Sequence, residues 1–311
     1  MTRIALVLVG CCTVVVLVVS TMSPAPATRP AEREKRSLKI FIVCDSEGGS
    51  GIVEYWSRNV PPGNPRFQEY RELMTRDINA AIEGCFQAGA TEVVVSDDGF
   101  GGTCTVPELM DSRASWIRGP GFGTGTLPLL AGLDSSFDGL MLIGFHPMEG
   151  TEKGVLAHTW SSAGRRRFTI QGKPAGELAI YSIIAGHDHA VPVILVQGDE
   201  AVCQEGRDLL GVDLVTVAVK KGLSEQRALL VAPGKARTMI TVGARQAVEE
   251  IQKREPYLVK MPIEVQLQLE NKEKADAHGE NRLRLLPDWP GRRVDEQTFE
   301  ATLSSTRFLS L

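Results

Sequence analysis

Apolar residues fall into two kinds of run along the chain: short unbroken stretches, and longer stretches in which they recur every three or four positions. Residues 38–44, Leu-Lys-Ile-Phe-Ile-Val-Cys, are of the first kind. Strand length, β-branched residues and near-continuous hydrophobicity predict a strand buried on both faces, as in a parallel sheet. Residues 92–97, 139–145 and 192–197 repeat the pattern, and 116–118 predicts a shorter strand. Between the first two lies a run of the second kind. Over 66–89, Tyr70, Leu73, Met74, Ile78, Ala81, Ile82, Cys85 and Phe86 recur at helical spacing, with Gly89 as the stop. Glu72 and Arg76 add an i, i+4 pair on its outer side. A second helix is predicted over 177–185. Strand, helix and strand in this order make a βαβ unit and an α/β fold.

From about Gly222 the texture changes. Residues 233–253 predict a long helix with Ala236, Met239, Ile240, Ala247, Val248 and Ile251 on its apolar side. Residues 263–269, Ile-Glu-Val-Gln-Leu-Gln-Leu, alternate strictly, which predicts a strand with one wet face. The expected division is therefore a larger α/β domain over 38–221 and a smaller α+β domain over 222–311.

The first residues carry a different pattern. A basic start at Arg3, an apolar stretch over 5–20 and the small residues of Ser23-Pro-Ala-Pro-Ala27 predict an export signal cut after Ala27. The apolar stretch is short of the roughly 20 residues of a spanning helix, so an uncut anchor is the weaker reading. Leu8-Val-Gly-Cys11 resembles a lipoprotein box, but too few apolar residues precede it. Residues 28–37 are a charged, proline-bearing linker, and the mature chain is expected to be periplasmic or secreted, without a stable membrane span. A net charge of −4 and the absence of any basic block or aromatic–basic interleaving exclude nucleic acid as an expected partner. Cys44 and Cys85 fall on apolar faces and are expected as buried thiols; the states of Cys104 and Cys203 are open.

Chemistry concentrates where the strands end. Asp45 and Glu47 follow the first strand, Asp97 the second, His146 the one over 139–145 and Asp199 the one over 192–197. Open α/β sheets place ligands at such carboxyl ends. Four ligand-capable positions predict a shared crevice holding a metal or catalytic site. For Asp45 and Glu47 alone, a turn facing water is an equal alternative. His158, in Gly154-Val-Leu-Ala-His158, reads by itself as a satisfied core residue, and Glu177 as a first-turn acid favoured by the helix dipole. Gly119-Pro-Gly-Phe-Gly-Thr-Gly125 has glycines enough for a dinucleotide loop, but Pro120 and the placing of Asp138 argue against it. His187-Asp-His189 is expected as an exposed turn, and His278 in a solvated stretch.

Together these residues resemble the zinc-dependent D-aminopeptidase family (DppA-like). The resemblance rests on Asp45-Ser-Glu-Gly-Gly-Ser-Gly51, Glu92-Val-Val-Val-Ser-Asp97, Gly144-Phe-His146, Gly154-Val-Leu-Ala-His158, Pro174-Ala-Gly-Glu177 and Val196-Gln-Gly-Asp199, in that order. It implies a Rossmann-like, three-layer domain with a parallel or mixed sheet, joined to the smaller C-terminal α+β domain. It implies two zinc ions bridged by Asp45, with Glu47, His146 and Glu177 as further ligands and His158 as the catalytic histidine. It also implies a ring-shaped homodecamer acting on short peptides. One position departs from the pattern. The family's second strand ends in a motif like Asp-x-His, and this chain has Asp97-Asp98-Gly99. Gly99 replaces a zinc-ligand histidine, leaving Asp98 or water to fill in. One tight Zn2+ and a weaker second position, suited also to Mn2+ or Mg2+, are expected. The expected function is an exported metal-dependent aminopeptidase, with a catalytically inactive peptide- or metal-binding homologue as the alternative.

Overall fold

The computed structural model describes residues 37–119, 130–285 and 289–309. The expected signal, nearly all of the linker and most of the glycine loop at 119–125 lie outside the described residues. Among the described residues no helix is long and apolar enough to cross a membrane. The strands are β1 (Lys39–Cys44), β2 (Glu92–Asp97), β3 (Ser115–Ile117), β4 (Gly139–Phe145), β5 (Arg166–Ile170), β6 (Lys173–Pro174), β7 (Val193–Asp199), β8 (Val215–Ser224), β9 (Arg227–Leu230), β10 (Ile263–Leu269), β11 (Arg292–Arg293) and β12 (Thr298–Leu303). The helices are α1 (Trp56–Asn59), α2 (Pro65–Gln87), α3 (Glu177–His189), α4 (Glu200–Leu210), α5 (Pro233–Glu249) and α6 (Lys272–Leu285).

Seven strands form the first sheet in the order β3-β2-β1-β4-β7-β8-β9. All neighbours are parallel except β8 and β9. The unbroken apolar runs sit in its middle: every residue of β4 and β7 is buried. On one face Ile40, Ile42 and Ile143 pack against Met74, Ile78 and Ile82 of α2 and Ile240 and Ala244 of α5. On the other, Phe41, Val43, Leu140 and Leu142 meet Leu178, Ile180 and Ile184 of α3. The chain moves outward from β1 through β2 to β3, then restarts on β1's other side with β4. This switch point opens a crevice at the carboxyl ends of β1 and β4.

The second sheet is antiparallel, in the order β11-β12-β10-β5-β6. β10 alternates buried and exposed at every residue, as its sequence predicts. Its buried side joins Phe168, Ile170 and Phe299 in the same core as α3. Helix α3 therefore lies between two sheets, and Glu177–Gly186 is buried throughout. That explains why its hydrophobicity shows little one-sidedness.

The sheets divide the chain differently from the expected boundary at 221/222. That boundary falls inside β8, while β9 and α5 belong to the first sheet's layers and β5 and β6 to the second sheet. Lys220 and Lys221 break the apolar run of β8 and hide it as a strand. Residues 37–311 form one compact unit. The His187–His189 segment is the last turn of α3, not an exposed turn: His187 Nε2 accepts from the Val259 amide at 2.8 Å. His278 is half-buried on α6, its ring edge-on to Phe299 at 5.2 Å.

Candidate metal centre

The loop after β1 is built before any side chain is placed. Asp45 N donates to Ile143 O at 2.8 Å and Gly48 N to Gly144 O at 2.7 Å, tying the ends of β1 and β4 together. The approach is so close that a Cβ on Gly48 would lie 2.0 Å from Phe145 O, so no other residue fits. Buried Gln197 clamps the same junction, accepting from Gly144 N at 2.8 Å and donating to Gly48 O at 3.1 Å. Ser50 donates through its amide and its hydroxyl to Asp77 of α2, both at 2.7 Å. Lys220, from β8, runs underneath: its Nζ donates to Glu47 O at 2.5 Å, Gly49 O at 3.0 Å and Ile52 O at 2.6 Å. A buried ammonium with three carbonyl acceptors turns a glycine-rich loop into a rigid one.

On this platform five of the six expected site side chains converge. His146 Nε2 lies 3.3 Å from Asp45 Oδ2 and 3.5 Å from Glu177 Oε1. Ligand atoms of Asp45, Glu47 and His146 are all within 4.8 Å of one another, as are those of His146, His158 and Glu177. Each carboxylate is steadied from behind: Ser46 N donates to Asp45 at 2.7 Å, Ser46 Oγ to Glu47 at 2.6 Å and Trp160 N to Glu177 at 2.6 Å. The imidazoles stack with centroids 3.9 Å apart and planes 10° from parallel. His146 Nδ1 is 3.0 Å from Pro147 O and His158 Nδ1 2.8 Å from Leu156 O. Both rings therefore carry a proton on Nδ1 and turn Nε2 to the centre.

Electrostatics shows what the centre lacks. Burial, then the charge of Glu47, push Asp45 up to about 7. Burial works against Glu47 and Glu177 as well, yet the facing histidines hold both below the usual carboxylate range. Burial alone would lower His146, but Glu177 and Asp45 raise it well above its ordinary value. Three carboxylates around one buried ring thus call for a positive charge. His146 Nε2 is buried and has no hydrogen-bond partner among the described residues. An orphaned nitrogen between two carboxylate oxygens, with further oxygen and imidazole donors at hand, fits a divalent cation such as zinc. His158 differs: burial and then neighbouring His146 lower it, leaving a neutral base at pH 7.

The sequence profile of the D-aminopeptidase family matches residues 38–305, which takes in every element of the centre. The chain belongs to the D-aminopeptidase family. Membership makes it a hydrolase of the metallo-aminopeptidase class. A D-aminopeptidase of Bacillus subtilis (strain 168) is 30% identical over 219 residues, covering 70% of this chain and 77% of the relative. Among solved structures, the Zn-dependent D-aminopeptidase DppA of Bacillus subtilis, described as a self-compartmentalizing protease, superposes with a TM-score of 0.77. It is 25% identical, and the match covers 88% of this chain and 94% of that one.

Within this D-aminopeptidase-family fold the end of β2 stands apart. Asp98 is not among the converging side chains. Its carboxylate accepts from Ser96 Oγ at 2.6 Å and from Tyr181 OH at 2.9 Å, and burial raises its pKa. Gly99 leaves no open slot, since a Cβ there would stand 3.0 Å from the Asp45 carbonyl carbon and 3.0 Å from Cys104 Sγ. Asp97 and Asp199, expected in the crevice, serve the backbone instead. Asp97 accepts from the amides of Cys104 and Thr105; Asp199 caps α4 through Val202 N and accepts from Val155 N. Cys44, Cys85, Cys104 and Cys203 are all buried free thiols. Cys44 and Cys104 lie 3.5 Å apart at sulfur, with both pKa values raised, so they stay protonated.

Sequence reasoning missed Lys220, Gln197 and Tyr55, whose ring edge meets His158 at 5.8 Å. It also missed Glu205 on α4, which accepts from Met148 N at 3.1 Å beside the loop after His146. Burial pushes Glu205 up to about 7, from an ordinary 4.5. The folded protein then holds a proton that the unfolded chain releases between those values. Its contribution is greatest below about pH 4.5 and is lost as pH rises through 7. Glu205→Gln is expected to gain up to about 3 kcal/mol over wild type at pH 8. The gain should vanish towards pH 4.5, as read by urea unfolding at both pH values.

Proposed function

We propose that this protein is an exported metal-dependent aminopeptidase that hydrolyses short peptides or amides, including those with a D-residue at the amino end. The observation that carries the reading is His146 Nε2, buried and unbonded between Asp45 and Glu177. Asp45, Glu47, His146 and Glu177 are the proposed ligands. A zinc ion held there supplies a Lewis acid for the scissile carbonyl and lowers the pKa of water. His158 takes a proton at Nε2 and returns it to the departing amine. Its hydrogen bond to Leu156 O keeps that nitrogen free and aimed at the centre. Family membership and the described zinc dependence of DppA support the metal. Export rests on the pattern of residues 1–27.

The metal count follows from the end of β2. With Gly99 offering nothing and Asp98 engaged by Ser96 and Tyr181, the second position relies on shared carboxylates and water. We expect one zinc per chain to survive dialysis and a second site to fill only at high metal, where Mn2+ or Mg2+ also serves. Elemental analysis decides it; two firmly held zinc ions would bring Asp98 or another group into the shell. Assembly is proposed as a homo-oligomer, a ring-shaped decamer by resemblance. The description of DppA as self-compartmentalizing supports it, as does exposed Leu223, Leu229 and Leu230 on the β8–β9 hairpin at the sheet's edge.

The test is a panel of D-Ala and L-Ala amides and dipeptides with zinc, manganese or cobalt supplied. Turnover of none of them, in a folded and metal-loaded protein, would leave the inactive binding homologue. That second reading is favoured by one observation, the missing donor at Gly99.

A further inference from the structure

A cavity of about 540 Å³ opens beside His158. Its lining is mostly polar. Glu149, Glu225, Glu270, Lys153, Arg165 and Arg167 bring both signs of charge in equal number, and the remaining positions are mostly glycine, alanine, serine and threonine. Such walls offer no surface to a bulky apolar side chain. They match a ligand whose recognisable features are its own charges.

The two signs have separate supports. Glu225 accepts from Tyr55 OH at 2.9 Å, and the Tyr55 ring packs on His158, so this acid is braced next to the proposed proton carrier. The Glu149 side chain is 13% exposed, and its nearest cation, Arg165 Nε, is 3.9 Å away, the outer limit of an ion pair. The basic side comes from the start of β5. Arg165 and Arg167 are two apart, so on extended backbone they project the same way. Arg166 between them is half-buried and feels the charge of Glu177 instead. The Arg167 side chain makes no hydrogen bond or close ion pair among the described residues and lines the cavity, where its charge, like that of Arg165, reaches Glu149. A guanidinium held in no close ion pair, with a second one two positions away, is suited to a carboxylate, which it grips with two parallel hydrogen bonds.

We propose that Arg165 and Arg167 form a clamp for the free terminal carboxylate of the substrate, so that the protein selects short, small-side-chain peptides with both ends charged. The inference rests on the aminopeptidase reading and deepens it. Cleavage at the amino end puts the substrate's ammonium within a residue of the reacting carbonyl, on the Glu225–Tyr55–His158 side.

The test compares one dipeptide, D-alanyl-D-alanine, as the free acid and as its terminal amide, on full-length metal-loaded protein. Wild type is expected to favour the acid by at least about tenfold in kcat/KM, chiefly through KM, since a hydrogen bond between charged groups is being added. Arg167→Gln should bring the ratio of acid to amide close to one, and Arg165→Gln should lower it less. Titration calorimetry with the same two ligands reads the clamp without turnover. Tighter binding of the acid, lost in Arg167→Gln, supports it even for a protein that hydrolyses neither, an outcome that would overturn only the peptidase reading. Equal handling of acid and amide by wild type, or an unchanged ratio in the Arg165→Gln, Arg167→Gln double variant, would overturn the clamp.

Discussion

His158→Gln is expected to lower kcat by about 10²–10⁴ while leaving the metal content and KM near wild type. The expectation comes from the division of labour between two stacked rings. His146 is wedged against Asp45 and Glu177 and is drawn towards the charged form; His158 is held neutral by burial and by His146 itself. A neutral imidazole with Nδ1 tied to a backbone carbonyl has one free nitrogen, and that nitrogen is equipped to accept and return a proton. Glutamine keeps much of the volume and can donate to Leu156 O, but its amide cannot take up a proton at neutral pH. Activity on an amide substrate and zinc content by elemental analysis are measured on the same sample. Because His158 also belongs to a set of ligand atoms within 4.8 Å, a variant that loses its zinc would reassign it as a ligand.

Lys220→Met is the second large effect. The variant keeps the length of the side chain and removes the ammonium, leaving the carbonyls of Glu47 and Ile52 without their donor in a dry interior, while Gly49 O keeps the Ile52 amide at 3.3 Å. A buried polar group left unpaired costs about 1–3 kcal/mol. Two of them are partly offset by removing a buried charge, for burial pushes Lys220 down to about 8 against the pull of Asp199, Asp77 and Glu47. A net loss of about 2–4 kcal/mol is expected at pH 7. Zinc affinity should fall about 10–100-fold, since Glu47 loses the support that orients it. The wild type carries a pH signature that the variant lacks. Between pH 8 and the ordinary 10.5 the unfolded chain holds the lysine proton and the folded one does not, so this group's share of stability rises with pH across that window. Chelator competition and urea unfolding at pH 7 and 9.5 measure both. Unchanged zinc affinity in Lys220→Met would mean that Gln197 and Ser50 hold the loop without it.

What could be read from the sequence was whatever depends on neighbours along the chain. β4 and β10 lie where their patterns place them, because burial on two faces and on one face write different periods. Asp45 and His146 could be placed at strand ends, and a parallel sheet brings those ends together. The ligand set as a whole came from resemblance. Asp98 illustrates the limit: its side chain type suits a metal, but Tyr181, 83 positions away, takes its carboxylate. Nothing local announces that contact. The same holds for β5, which pairs with β10 across a gap no period reveals, and for β8, whose lysine pair looks like a solvated turn until Lys220 is seen beneath the metal centre.

That lysine also bears on the order in which the protein matures. Its contacts with the loop after β1 join residues 168–173 apart in sequence. A growing chain exposes Asp45 and Glu47 long before β8 is made, and connections of such span form late because their closure entropy must be met first. Until then the glycine-rich loop has no floor, and its carboxylates are those of an ordinary flexible segment. Metal capture at the proposed centre is therefore expected to follow the docking of β8, and a chain truncated before β8 should hold zinc more weakly than the full chain.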